Sequence, residues 1–254
     1  MAILKRDFLP SDLMPLLKQA GIDGCVAVEA RQTLQETEQL LTLADSFSII
    51  KGVVGWVDLQ APDVHNQLAR FAKHQHFKGV RHHVQNESDD RFMLRPDFLR
   101  GLEALRAFNL TYDILVFPRQ LPAALEVANR FPSQKFVIDH LAKPEIKNRN
   151  LLPWKEQICE LAAHENVYCK ISGMVVEADW RRWQPSDFQP YLDVVFECFG
   201  PDRLMFGSDW PVCLLAAPYP KVLGIVQDYS AKVSPEVQAK LFGENAAKFY
   251  GLTV

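Results

Sequence analysis

Two short apolar runs end in residues that can move a proton. Leu204-Met205-Phe206-Gly207-Ser208 leads into Asp209, and Val137-Ile138-Asp139 leads into His140. A buried strand that delivers a carboxylate or an imidazole at its C-terminal end is how an α/β barrel assembles an active site. Trp210-Pro211 follows Asp209, and the proline stops the strand there. A carboxylate in that place can act as general base toward water or bind a metal ion. The plainer alternative is a turn aspartate that caps the next helix; the barrel context favours chemistry. His140 stands just before Lys143-Pro144, which opens a loop suited to substrate contacts. Side chains alternate along a strand, so a lumen-facing His140 predicts that Asp139 points outward toward the helices.

Other strand ends are polar as well. Arg81, His82 and His83 close the run from Phe77. Alternation puts Arg81 and His83 on one face and His82 on the other unless a bulge intervenes. An arginine at a strand mouth suits a carboxylate or a polarised carbonyl. Glu29 and Arg31 end the first visible strand, and Lys170 and Ser172 share a face of theirs. Asp113 lies within an apolar strand, which is costly unless it is paired or faces a wet lumen. Each of these residues is balanced between a site role and an internal salt link; together they describe a polar barrel mouth. His65, His74, His76 and His164 fall in helices or helix–strand turns and read as surface residues.

The elements that must position these groups alternate. Strands are predicted over Gly24–Val28, Ile49–Val57, Phe77–Val84, Leu110–Phe117, Lys135–Leu141, Val167–Ser172 and Arg203–Ser208. Helices are predicted over Leu34–Ala44, Val64–Phe71, Pro96–Phe108, Pro122–Arg130, Trp154–Ala163 and Phe188–Phe199, with two more over Tyr219–Ser230 and Pro235–Tyr250. The strands are near-continuous apolar runs, which fits a parallel sheet covered on both faces. Seven such units suit a doubly wound sheet or a (β/α)8 barrel. Polar residues at many strand ends favour the barrel. A helix over Ser11–Ala20, capped by Ser11 and ended by Gly21, precedes the first strand, so the pattern starts at helix one.

The 254 residues are 48% hydrophobic, enough for a sizeable core, and read as one domain over 1–254. A net charge of -3 leaves no basic footprint for nucleic acid. The apolar stretches are too short and interrupted to span a membrane, and no signal peptide opens the chain. No glycine-rich nucleotide motif is present. Five scattered cysteines, none in a C-x-x-C pair, predict reduced thiols in a cytoplasmic protein and neither structural zinc nor a disulfide framework. A small-molecule substrate is expected, and a homo-oligomer is compatible with the sequence.

The ordered blocks Gly79-Val80-Arg81-His82, Tyr112-Asp113-Ile114-Leu115-Val116, Asp139-His140-Leu141-Ala142-Lys143-Pro144, Lys170-Ile171-Ser172-Gly173 and Gly207-Ser208-Asp209-Trp210-Pro211 carry a resemblance. From about Arg6 to Gly251 the chain resembles the amidohydrolase-2 branch of the amidohydrolase superfamily, in particular its sugar-acid lactonases and 2-pyrone-4,6-dicarboxylate lactonase. The resemblance implies a distorted TIM (β/α)8-type barrel that hydrolyses a lactone or related ester-like bond. It implies that Asp209 is the general base, with His140 and Arg81 polarising the carbonyl. Substrate contacts are expected from His82, His83, Glu29, Asp113, Lys143, Lys170 and Ser172. Arg81, Lys143, Lys170 and Arg119 together suit an anionic or polyhydroxylated acid product.

The chain departs from the family at its start. Family members begin with a strand carrying His-x-His, and no His-x-His occurs in this sequence. The expectation is a barrel lacking its first strand here, either because Met1 is an internal methionine and the strand is encoded upstream, the favoured alternative, or because the chain is truly shortened. His140 and Asp209 are then the metal ligands available, too few for tight zinc binding. Metal-dependent and metal-independent members resemble the chain equally, so the expectation for the intact protein is one divalent metal such as zinc or none, and for this chain alone none. Two other functions remain open: a decarboxylase on the same scaffold, and a non-catalytic remnant that binds a small acid.

Overall fold

The structure, a computed structural model, describes residues 2–253; Met1, expected to be an internal methionine, lies outside them. Helix α1 (Pro10–Ala20) leads into strand β1 (Cys25–Val28), followed by α2 (Leu34–Ser46), β2 (Ile50–Gly55), α3 (Val64–Phe71), β3 (Phe77–His82), α4 (Pro96–Arg106), β4 (Thr111–Ile114) and α5 (Leu121–Arg130). Then come β5 (Phe136–Ile138), α6 (Trp154–Ala162), β6 (Val167–Ile171), the short α7 (Met174–Glu177), α8 (Pro185–Phe199) and β7 (Leu204–Phe206). The chain closes with α9 (Tyr219–Ser230), α10 (Pro235–Ala239) and α11 (Asn245–Tyr250).

All seven strands are parallel and pair in sequence order, β1 to β7. The sheet curls as an incomplete barrel, and among the described residues no strand precedes β1. Both edge strands send side chains into one apolar cluster: Cys25 from β1 and Phe206 from β7 meet Leu17 of α1 and Tyr219 and Leu223 of α9. Helices thus cover the seam where the two strands lack a ladder partner, which hides edges that would otherwise be free to pair.

The main core lies between strands and helices. Val53, Val80, Ile114, Ile138 and Ile171 pack outward against Leu68, Leu105, Val127, Ile158 and Val195. A smaller cluster fills the bottom of the lumen, where Phe249 and Tyr250 of α11 meet Val54, Val137 and Met205. Prolines open several helices at their first position (Pro10, Pro96, Pro185, Pro235), where the missing N–H costs nothing.

Local chemistry moves some predicted boundaries. Asp12, not Ser11, caps α1 by accepting from the Leu9 N–H at 2.8 Å, so the helix starts at Pro10. Asp187 does the same for Gln184 at 2.8 Å, which starts α8 three residues before Phe188. Gly21 ends α1 in the left-handed region, as expected. The expectation of five reduced cysteines fails for one pair: Cys159 of α6 and Cys198 of α8 form a disulfide, their Cα atoms 5.2 Å apart. Their separation of 39 residues hides the pairing, which only the packing of α6 on α8 creates. Among the described residues no helix is long and apolar enough to cross a membrane.

Candidate active site

Register explains which side chains enter the lumen. Arg81 is the direct partner of Asp113, and Asp113 of Val137, so all three share a face. Two residues beyond Val137 on that face is Asp139. Lys170 pairs with Met205 on the same side. On that face the ionisable groups adjoin the apolar cluster of Val137, Met205 and Tyr250.

They form a chain of alternating charge. Arg81 Nε donates to Glu29 Oε1 at 2.9 Å, its Nη1 to Asp139 Oδ2 at 2.9 Å, and its Nη2 to the Glu29 carbonyl. Lys170 Nζ lies 2.7 Å from Asp139 Oδ1 and 2.5 Å from Asp113 Oδ2. Tyr250 donates its hydroxyl to Asp113 from below, at 2.8 Å from Oδ2. His83 Nε2 lies 3.0 Å from Glu29 Oε1. Glu29, Asp113 and Asp139 are fully buried.

Such burial would expel isolated charges, and here the partners decide. Burial pushes Asp139 toward neutrality, but Lys170 and Arg81 outweigh it and hold the carboxyl well below the usual range. Burial wins at Asp113, whose carboxyl is pushed up to about 6 against the pull of Lys170. For Lys170 and Arg81 burial opposes the charge, yet their carboxylate neighbours prevail and raise both.

Asp139 keeps the inward face of Val137 and His140 faces inward as well, against the expectation that the two point to opposite sides. The reason is the backbone after β5. His140, Leu141, Ala142 and Lys143 all take φ between 53° and 56°, a left-handed turn that ordinary residues adopt only when the surroundings enforce it. The turn rotates His140 back into the lumen beside Asp139. Gly173, itself at φ 67°, packs against the ring: a Cβ there would lie 2.8 Å from His140 Nδ1.

His140 and Asp209 form the upper layer. His140 Nε2 faces Asp209 Oδ1 at 3.7 Å, and Nδ1 lies 2.8 Å from Ser172 Oγ. Both side chains keep some exposure, 13% and 14%. Burial lowers the His140 pKa more than Asp209 and Asp139 raise it, so the ring is neutral at neutral pH. Beside this pair, Lys143 Nζ lies 3.6 Å from Glu177 Oε1 at the end of α7. Burial raises the Glu177 pKa; Lys143 opposes this and Asp209 adds to it.

Asp209, His140, Lys143 and Ser172 thus stand at the mouth, while Arg81, Lys170, Glu29, Asp113 and His83 make the charged floor. Glu29 and Asp113 lie too deep for the substrate contact expected of them. His82 joins neither layer. Its ring stacks on Phe92 on the outer face, centroids 5.0 Å apart, and its Nε2 lies 2.9 Å from Glu87 Oε1. Alternation from lumen-facing Arg81 already places it there. Arg119 pairs with Asp90 on the rim at 2.6 Å. Two residues escaped the sequence reading. Glu177 follows an apolar run just past a strand end, a usable signal. Tyr250 sits in a terminal helix with no local mark of its depth.

Catalytic zinc takes three protein ligands. Among the described residues no three His, Cys, Asp or Glu side chains come together to hold an ion, and His140 with Asp209 makes two. The residues described here do not fit a metal centre by themselves.

Comparison with known proteins adds to this geometry. The chain is 41% identical over 263 aligned residues to an L-fucono-1,5-lactonase from Burkholderia multivorans, covering 99% of this chain and 88% of that protein. A crystal structure of an amidohydrolase from Burkholderia multivorans with bound zinc matches with a TM-score of 0.95 and 41% identity, over 100% of this chain and 92% of that one. The 5-carboxyvanillate decarboxylase from Sphingomonas paucimobilis, at 15% identity and a TM-score of 0.68 over 94% of this chain and 82% of its own, shares the fold alone. The amidohydrolase family pattern itself runs over residues 2–252, through every strand whose end carries the site, and the chain belongs to that family.

Proposed function

We propose that this enzyme hydrolyses the lactone of a small sugar acid. The observation that carries the reading is the His140–Asp209 pair, held 3.7 Å apart at the strand mouths above a floor of buried charge. A 41% identical L-fucono-1,5-lactonase supports the substrate class. The decarboxylase alternative has a fold-level likeness behind it and nothing more.

In this reading the lactone carbonyl sits above the His140–Asp209 pair, its oxygen toward His140 Nε2 and its carbon toward a water beside Asp209. The Asp209 carboxylate takes a proton from water as the water oxygen adds to the carbonyl carbon. With Ser172 donating to Nδ1, His140 carries its proton on Nε2 and offers it to the developing oxyanion. Collapse of the tetrahedral adduct breaks the ring C–O bond. Asp209 returns its proton to the leaving alkoxide, and the product is the open hydroxy acid. Arg81, expected at the substrate, is committed to Glu29 and Asp139, so its part is to hold Asp139 and the turn beyond it. Lys170 does the same from the other side.

A relative crystallised with zinc makes a divalent metal part of the question. His140 and Asp209 are the donors this chain offers, and no step above runs through a metal. A cytoplasmic location goes with the reading and is tested by cell fractionation. The function itself is tested by assaying purified protein on a panel of sugar-acid lactones, with metal content measured alongside. Ring opening by wild type, lost in Asp209→Asn, supports the proposal; a folded wild type inert on the whole panel overturns it.

A further inference from the structure

Lys143 and Glu177 form a second pair beside the first. The left-handed turn after β5 supplies both His140 and Lys143, three residues apart, and the Lys143 N–H closes on the His140 carbonyl at 2.7 Å. A tight turn with a three-residue repeat brings its first and fourth side chains to the same side. Across from them, α7 delivers Glu177 and β7 leads to Asp209. Each side chain of the turn therefore faces a carboxylate from a later strand unit: His140 faces Asp209 after β7, and Lys143 faces Glu177 after β6.

The Lys143–Glu177 separation of 3.6 Å is too long for a direct hydrogen bond, though the charges still attract. The side chains are 16% and 21% exposed, enclosed but reachable from the mouth. Lys143 Nζ also sits 5.4 Å from the centre of the Phe117 ring, which fixes its stem against an apolar wall. A strong donor and a strong acceptor are thus held apart, both with bonding capacity to spare. A hydroxyl is the group that satisfies both at once, accepting from an ammonium and donating to a carboxylate.

We infer that Lys143 and Glu177 grip hydroxyl groups on the lactone ring and so select polyhydroxylated lactones over bare ones. The inference rests on the lactonase reading and deepens it: one pair performs hydrolysis and the other recognises the ring. A site built to hydrogen-bond a hydroxyl rejects an analogue without one, because its buried polar groups are left unpaired. Glu177 is then a specificity residue at the mouth, and Lys143 its partner.

The test compares kcat/KM on L-fucono-1,5-lactone with that on δ-valerolactone, a six-membered lactone without ring hydroxyls. It uses wild type, Glu177→Gln and Lys143→Met. Both variants should lose at least about tenfold more on the hydroxylated lactone than on the bare one. Equal losses on the two lactones, or no loss on either, overturn the inference. If wild type opens neither of these two nor any other lactone of the sugar-acid panel, the lactonase reading falls by itself. Calorimetric titration with L-fuconate then decides the pair: weaker binding by Glu177→Gln supports it, and equal binding overturns it.

Discussion

His140 and Asp209 follow different strands yet share one backbone state: both sit in the left-handed region at φ 53°, and their side chains face each other at 3.7 Å. Neither residue is glycine, so each conformation costs about 1–3 kcal/mol and persists because packing enforces it. Strain of this kind gathers where side-chain placement matters more than local comfort.

Replacing Asp209 by Asn keeps the shape of the side chain and removes the base. Turnover on a sugar-acid lactone should fall by roughly 10²–10⁴, the usual worth of a positioned proton acceptor. The melting temperature should stay close to wild type. Near-normal turnover in Asp209→Asn would remove this residue from the mechanism.

Gly173 holds His140 from the other side. In Gly173→Ala the new methyl would meet the imidazole at 2.8 Å, on a backbone with φ 67°. The variant should lose about 1–3 kcal/mol of stability and, because the ring must tilt, lose turnover as well. Crystallography or activity showing an undisturbed His140 would count against the contact.

The buried charges make Lys170 a support for two carboxylates at once. Lys170→Met leaves Asp113 and Asp139 without that cation in a fully buried place. Breaking a buried pair by removing one member costs about 3–5 kcal/mol, and urea unfolding should show a loss of that order. A loss under about 1 kcal/mol would mean that the network contributes little to stability.

Asp113 predicts a pH dependence with a definite sign. Burial raises its pKa from 3.8 to about 6 on folding. Between those values the folded state binds more protons than the unfolded one, so stability falls as pH rises. The stabilisation is fully present below 3.8 and lost as pH passes through about 6. Asp139, held low, titrates outside this window. Wild type should therefore lose melting temperature relative to Asp113→Asn from pH 4 to pH 6; parallel curves would refute the shift.

The sequence by itself determined the alternation of strands and helices, because apolar runs and helical spacing are local. It also determined that Asp209 and His140 come just after strands, that Arg81 and His83 share a face with His82 on the other, and that Lys170 and Ser172 lie on one side. Tertiary structure decided the rest. His140 joins Asp139 on the inner side because the chain coils left-handed there, where strand alternation stops applying. Arg81 meets Glu29 across 52 positions of sequence and Tyr250 meets Asp113 across 137, so only the curl of the sheet and the docking of α11 bring them together. Cys159 and Cys198 pair for the same reason, through helices that pack side by side. Spacing along a chain reports what neighbours do within a strand or a helix turn; a charge network or a pair of facing side chains is made by elements that meet only after folding.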